Sequence, residues 1–206
     1  MKKCIFLLSL TLFVIYSNGQ RNDLGKLGAS FSKDIQSWMT GFIHFKLSDF
    51  NKTQTITFEN INVEKFDYIN DFYSLYKPLL SFSPDKNKFI DIYSYQLNLA
   101  KEGNKLVANP EIDQEIALCN LKTKTWNRIL FRGSTNWIEE VAWIGNTKFI
   151  LEGIEINNNE NRIPKIFIGD INSRSLDIFL SNDKNCMQKQ ARYKAAKLKK
   201  LKIQNL

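Results

Sequence analysis

Residues 79–181 carry the pattern that most constrains this chain, a β-unit of four short runs written twice. In the first copy the runs begin at Leu79-Leu80-Ser81-Phe82, Lys88-Phe89-Ile90-Asp91-Ile92-Tyr93-Ser94-Tyr95, Ile116-Ala117-Leu118-Cys119 and Trp126-Asn127-Arg128-Ile129-Leu130. In the second they begin at Glu140-Val141-Ala142-Trp143-Ile144, Lys148-Phe149-Ile150-Leu151-Glu152, Ile166-Phe167-Ile168-Gly169 and Leu176-Asp177-Ile178-Phe179-Leu180. Phe89 matches Phe149 at an offset of 60, whereas Asn120-Leu121 with Trp126 matches Asp170-Ile171 with Leu176 at an offset of 50. The difference arises in one place, the longer connection 100–114 of the first copy. Constant offsets interrupted by one loop insertion are the mark of a structural repeat. Two unrelated meanders rich in Ile and Phe would also share apolar runs, so the turns decide between the readings.

The turns have physical causes. Ser83-Pro84-Asp85 combines a fixed φ with side-chain oxygens that can bond the backbone, which reverses the chain before Phe89. Gly145-Asn146 does so in the second copy by tolerating positive φ. Lys122-Thr123-Lys124-Thr125 and Asn172-Ser173-Arg174-Ser175 are matching polar tips between the third and fourth runs. On these residues the chain resembles bacterial secreted β-propeller repeats that carry an SPD turn before the second strand. The resemblance rests on Ser83-Pro84-Asp85 and on the Asn120 to Trp126 turn, and spans about half the chain. Its second copy departs from the pattern, having Ile144-Gly145-Asn146 in place of Ser-Pro-Asp. It implies an all-β fold of propeller-like, four-stranded antiparallel units.

Residues 1–19 read as a signal peptide. Lys2 and Lys3 precede an apolar stretch, 5–16, that is too short for a bilayer span, and Ser17-Asn18-Gly19 offers small residues for cleavage before Gln20. Cys4 stands before the apolar stretch rather than after it, which argues against a lipid anchor. The expected localisation is therefore exported, periplasmic or extracellular, with no transmembrane segment.

The net charge of +8 is unevenly placed. Residues 184–206 hold eight basic and no acidic residues, while 20–183 hold 19 basic and 21 acidic ones. A basic face for nucleic acid is not implied for the body. The tail, 187–201, reads as a basic helix with Ala191, Ala195 and Leu198 along one side. Packing of Leu198 and Leu201 against a sheet edge is the favoured reading, and peripheral contact with an anionic surface is the alternative. Beyond the leader, Cys119 and Cys186 could pair in an oxidising compartment. Equally, Cys119 lies within a strand, where it would serve as a small apolar residue.

The expected organisation is a signal peptide (1–19), one all-β domain (20–183) with repeat units at about 77–133 and 134–182, and the basic C-terminal helix (184–206). Two clear units and an N-terminal hairpin over 38–61 make two to three blades, an incomplete or small propeller, because closed propellers usually have at least four. Within the hairpin, Ile43, Phe45 and Leu47 are the inward set of the first strand, with His44 outward. Ile56 and Phe58 are the inward residues of the second. Residues 21–34 form a loose lead-in. Residues 66–76 are ambiguous: the three- and four-residue spacing of Phe66, Ile69, Tyr73 and Tyr76 suits a short helix, the aromatic content a strand, and a helix or irregular structure is the favoured reading.

No motif for catalysis, cofactor or metal rises above background, so none is expected. His44 is the only histidine and lacks a Cys partner for a nucleophile–base pair. Asp85 with Asp91, and Glu139-Glu140 with Glu152, are the only close carboxylate sets available for acid–base work. Two polar loops follow the second strand of each copy. They carry Asn104 and Asn109 in one, and Asn157, Asn158 and Glu160 in the other. With Trp137 these are the candidate binding residues, on the view that loops at equivalent places form one face. The expected function is an exported, non-catalytic binding or scaffold module for a protein or glycan partner. The alternatives are an envelope-acting hydrolase using paired carboxylates and a secreted inhibitor or immunity-type protein.

Overall fold

The structure, a computed structural model, describes residues 24, 31–58, 61–65, 69–189 and 193–205. The signal-peptide expectation for 1–19 lies outside these residues. The elements begin with α1 (Lys33–Met39), β1 (Phe42–Ile43), β2 (Phe50–Thr57), β3 (Ile61–Lys65) and α2 (Ile69–Tyr76). The first repeat copy supplies β4 (Ser81–Phe82), β5 (Lys88–Asp91), α3 (Ser94–Leu97), β6 (Leu99–Glu102), β7 (Lys105–Ala108), β8 (Gln114–Asn120) and β9 (Thr125–Arg132). The second supplies β10 (Asn136–Ile144), β11 (Lys148–Ile156), β12 (Arg162–Asp170) and β13 (Ser175–Ser181). The tail holds β14 (Met187–Gln188), α4 (Ala196–Lys200) and β15 (Ile203–Gln204).

The fold is predominantly antiparallel β. Strands β4-β5-β8-β9 make one meander and β10-β11-β12-β13 the other, and each gains a fifth strand from the N-terminal region, β3 beside β9 and β2 beside β13. Phe89 pairs with Cys119 and Phe149 with Gly169, at the offsets of 60 and 50 read from the sequence. The hairpin tips agree atom for atom. Asn120 Oδ1 accepts from the Lys122 amide at 3.0 Å, and Asp170 Oδ1 from the Asn172 amide at 2.9 Å. Lys124 and Arg174 both take positive φ, 51° and 54°. The amides of Leu121 and Ile171 reach the carbonyls of Asn87 and Thr147 at 2.9 and 2.8 Å.

Alternation along the second meander separates two cores. Val141, Phe149, Leu151, Phe167, Leu176 and Ile178 face the first meander, while Ile150, Ile154, Ile166 and Phe179 face Ile35 and Trp38 of α1 and Phe50. Ser81 sits at the junction of the sheets: its carbonyl accepts from Trp143 Nε1 at 2.9 Å and its hydroxyl donates to the Val141 carbonyl at 3.3 Å. The far face of the first meander is covered by α2. Phe72 lies 6.2 Å from Phe89 and edge-on to Trp126 at 5.3 Å. Both outer faces are thus capped by segments preceding the repeat, as terminal caps close a stack of repeats. Among the described residues no closed ring of sheets is formed. The two five-stranded sheets each bury their faces, against one another and against the flanking segments.

Several expectations are corrected. Residues 38–61 do not form a hairpin: Trp38 is in α1, β1 pairs with β14, and β2 pairs with β13. Ser32 caps α1 by accepting from the Ile35 amide at 3.3 Å, so the lead-in 21–34 already contains the start of a helix. In β1 the inward residue is Phe42, at 4% exposure, and Ile43 points out at 38%. The cause is that Phe42 joins Trp38 in a ring cluster, with centroids 4.6 Å apart. Strand β5 stops at Asp91, and Ser94 and Tyr95 enter α3 because the Asp91 carboxylate accepts from the amides of Tyr93 and Ser94. Of the helix expected over 187–201, the described residues show Ala196–Lys200 as helix and Met187–Gln188 as strand. Leu198 and Leu201 do pack against the core, and Ala195 is 3% exposed. Cys119 and Cys186 are buried free thiols in separate cores.

Candidate functional site

A cleft of about 580 Å³ opens where the first-copy insertion, the start of β10 and the tail meet. One wall is Tyr93 with Gln96 and Leu97 of α3, backed by Pro110, Glu111 and Ile112 of the loop after β7. The second is Trp137, Ile138 and Glu139 of β10. The third is the tail, through Tyr193, Lys194, Ala195, Leu198 and Asn205. Ile112 stands at the rim, 73% exposed.

Each wall is held by buried polar groups. Gln114 Nε2 donates to the carbonyls of Ile92 (2.8 Å) and Ile138 (2.9 Å), and its Oε1 accepts from the Ile138 amide at 2.7 Å. One buried side chain therefore ties the first sheet to the cleft strand of the second. Asp91 fixes the turn that presents Tyr93, and Tyr93 donates to the Glu139 carbonyl at 3.3 Å. Trp38 Nε1 donates to Glu139 Oε2 at 2.8 Å. A bulge between Ile138 and Glu140 resets the face presented by β10. It depends on Gly153, where a Cβ would lie 1.9 Å from the Trp137 carbonyl oxygen. The tail wall is anchored by Tyr193, whose hydroxyl donates to Glu140 Oε1 at 2.7 Å, and by β15, which pairs in parallel with β7.

The expected binding residues divide. Trp137 lines the cleft. Asn109 lies at its edge beside Pro110, its amide bonded to the Leu97 carbonyl at 3.0 Å. Asn104 is at the exposed tip between β6 and β7. Asn157 is spent on its own turn, accepting from the amides of Asn159 and Asn161, with Asn158 exposed and Glu160 at a φ of 60°. The cleft gathers none of Asn104, Asn157, Asn158 or Glu160. Sequence reading missed Tyr93, Glu111 and Tyr193, whose only local signal was an aromatic or acidic residue beside a turn or among lysines. His44 is exposed and lies 3.5 Å from Asp183.

The two carboxylate sets behave differently. Asp85 is used by its turn: it accepts from Ser83 Oγ at 2.6 Å and from Asn87, and these bonds hold its carboxyl well below the ordinary range. Asp91 is buried, and desolvation pushes its carboxyl up against the pull of the Ser94 and Tyr93 bonds. Glu140 and Glu152 face one another directly across β10 and β11, both buried and behind Tyr193 rather than in the cleft. Burial pushes both up, Glu152 the further. Among the described residues no His, Cys, Asp and Glu cluster could hold a metal ion, and no helix is long and apolar enough to cross a membrane. Compared with family models, curated proteins and solved structures, the chain finds no match.

Proposed function

We propose that this chain is an exported, non-catalytic binding module built of two propeller-like units, with a protein segment or glycan as the ligand of the cleft. The carrying observation is the cleft's construction: Trp137, Tyr93 and Tyr193 on separate walls, held by Gln114, Asp91 and Glu140 before any ligand arrives. Its volume lies within the range of about 300–1,000 Å³ usual for ligand sites. Aromatic faces beside a few polar groups suit a sugar ring or an extended peptide. Export rests on the charged start, short apolar stretch and small-residue cleavage site of residues 1–19.

One preparation of the secreted protein tests both parts. Its intact mass should correspond to a chain beginning at Gln20, and retention of Met1 would end the export reading. Titration with oligosaccharides and with short peptides should change tryptophan emission saturably in the wild type, with at least about a tenfold weaker response for Trp137→Ala. Equal binding by both proteins would remove the cleft from the function. A hydrolase reading retains one supporting observation, that Glu111 and Glu139 share the cleft. It requires product release from the same glycans or peptides, lost in Glu139→Gln.

A further inference from the structure

Behind the tail wall lies a carboxyl pair that ligand binding does not use. Glu140 and Glu152 are cross-strand neighbours on the face of the second sheet that packs under α1, at 2% and 0% exposure. Neither oxygen of Glu152 has a hydrogen-bond partner among the described residues. Glu140 has one, the Tyr193 hydroxyl. Among the described residues, the charged and titratable groups around the pair are Glu139 from β10, Asp34 from α1, Tyr93 from the turn before α3, and Tyr193 and Lys197 from the tail. Among the described residues Lys197 is the only cation of the set, and its attraction is to Glu140 and Asp34.

A fully buried carboxyl with no donor is tolerated when it is neutral, because an unpaired buried charge loses its hydration and gains nothing in return. If Glu152 ionises, it places a second negative charge opposite Glu140, near Glu139 and Asp34. Relief requires water, and the tail covers the pair with fewer backbone bonds than the β10–β11 ladder beneath it. The described tail is held by the Tyr193 bond, burial of Ala195, packing of Leu198 and Leu201, and a two-residue parallel strand, whereas β10 and β11 share a ladder running the length of both.

We propose that the Glu140–Glu152 pair is a proton-operated latch on the tail. With Glu152 neutral, Tyr193 stays clamped on Glu140 and the tail closes one wall of the cleft. When Glu152 loses its proton to solvent, the tail lifts and the cleft widens. The latch rests on the reading of the cleft as the binding site only for its purpose, not for its motion. The sign follows from the direction in which burial moves Glu152. Its contribution to clamping is complete below the ordinary carboxyl pKa of about 4.3 and is lost as pH rises through the raised folded value.

Amide hydrogen exchange on the full mature chain, without ligand and corrected for intrinsic rates, tests this separately from the binding reading. Protection of 193–201 should fall about tenfold per pH unit once the pH rises into the raised range where Glu152 titrates, while β11 amides hold theirs. Glu152→Gln should abolish that slope, and Tyr193→Phe should leave the tail exchanging fast at every pH. Three results overturn the latch: a wild-type profile with no slope, β11 amides opening together with the tail, or a slope that survives Glu152→Gln and so belongs to another group, Glu140 or Lys197. The first two need no variant, so they decide the matter even if Glu152→Gln fails to fold.

Discussion

In the first sheet Phe89 faces Cys119 across the ladder, and in the second Phe149 faces Gly169. All four positions are buried or lie in the core ladder, yet the space is filled in two ways. Phe89 is covered by the rings of α2, Phe72 and Tyr73 at 6.2 and 6.1 Å. Phe149 instead lies on Gly169, where a Cβ would come 2.1 Å from its ring, and meets Phe58 and Trp143. The pairing is retained while the filling differs, as expected if ladder register is the stricter constraint and core volume can be redistributed. The copies also differ after their second strands. The first has an insertion that folds into α3, β6 and β7 and builds two-thirds of the cleft's framework with β10, while the second has a tight Asn-rich turn. Candidate function has gathered where the repeat is broken.

The comparison can be broken most directly at its shared position. Phe89→Ala and Phe149→Ala should each lower unfolding free energy by about 3–5 kcal/mol, read from denaturant midpoints. A small shift in either would mean that the two sites are not equivalent. A smaller effect separates the copies. Gly169→Ala drives a methyl into the Phe149 ring and should cost about 1–3 kcal/mol, whereas Cys119→Ala, where the first copy already carries a side chain, should cost less. Equal losses would show that Phe149 is free to move aside.

The smallest effect concerns the turns. The Ser83 and Asn87 bonds favour ionised Asp85, so its folded pKa is depressed. That stabilisation is present above the unfolded carboxyl pKa of about 3.9 and is lost as pH falls through the folded value. Asp85→Asn should therefore flatten part of the fall in melting temperature on acidification. Asn146 in the matching turn carries no ionisable group, although its Oδ1 accepts from the Asp85 amide at 3.0 Å, so Asn146→Ala should leave the acid dependence unchanged. A change of slope in both variants would assign the effect to contact between the turns rather than to the carboxylate.

What the sequence by itself determined is local. Runs such as Lys148-Phe149-Ile150-Leu151 and tips such as Asn120 to Thr125 and Asp170 to Ser175 carry their conformation in side-chain alternation and in side-chain-to-backbone bonds spanning two or three residues. That was enough for two meanders, their register and the burial of Phe89 and Phe149. The partners of edges and tails were decided only in three dimensions. The alternating Asn51 to Thr57 stretch fits the side of any sheet, and it joined β13 because that edge was exposed and Asp177 could receive Thr55 and Lys52. Glu139, Glu140 and Glu152 were visible as a close set, but periodicity could not say that a bulge would turn Glu139 toward Trp38 while Glu140 met Glu152. The cleft was least legible, because Tyr93, Trp137 and Tyr193 come together only through chain closure over long separations. Alternation fixes which way a side chain points within its own strand, and it carries no information about which distant segment will be there to meet it.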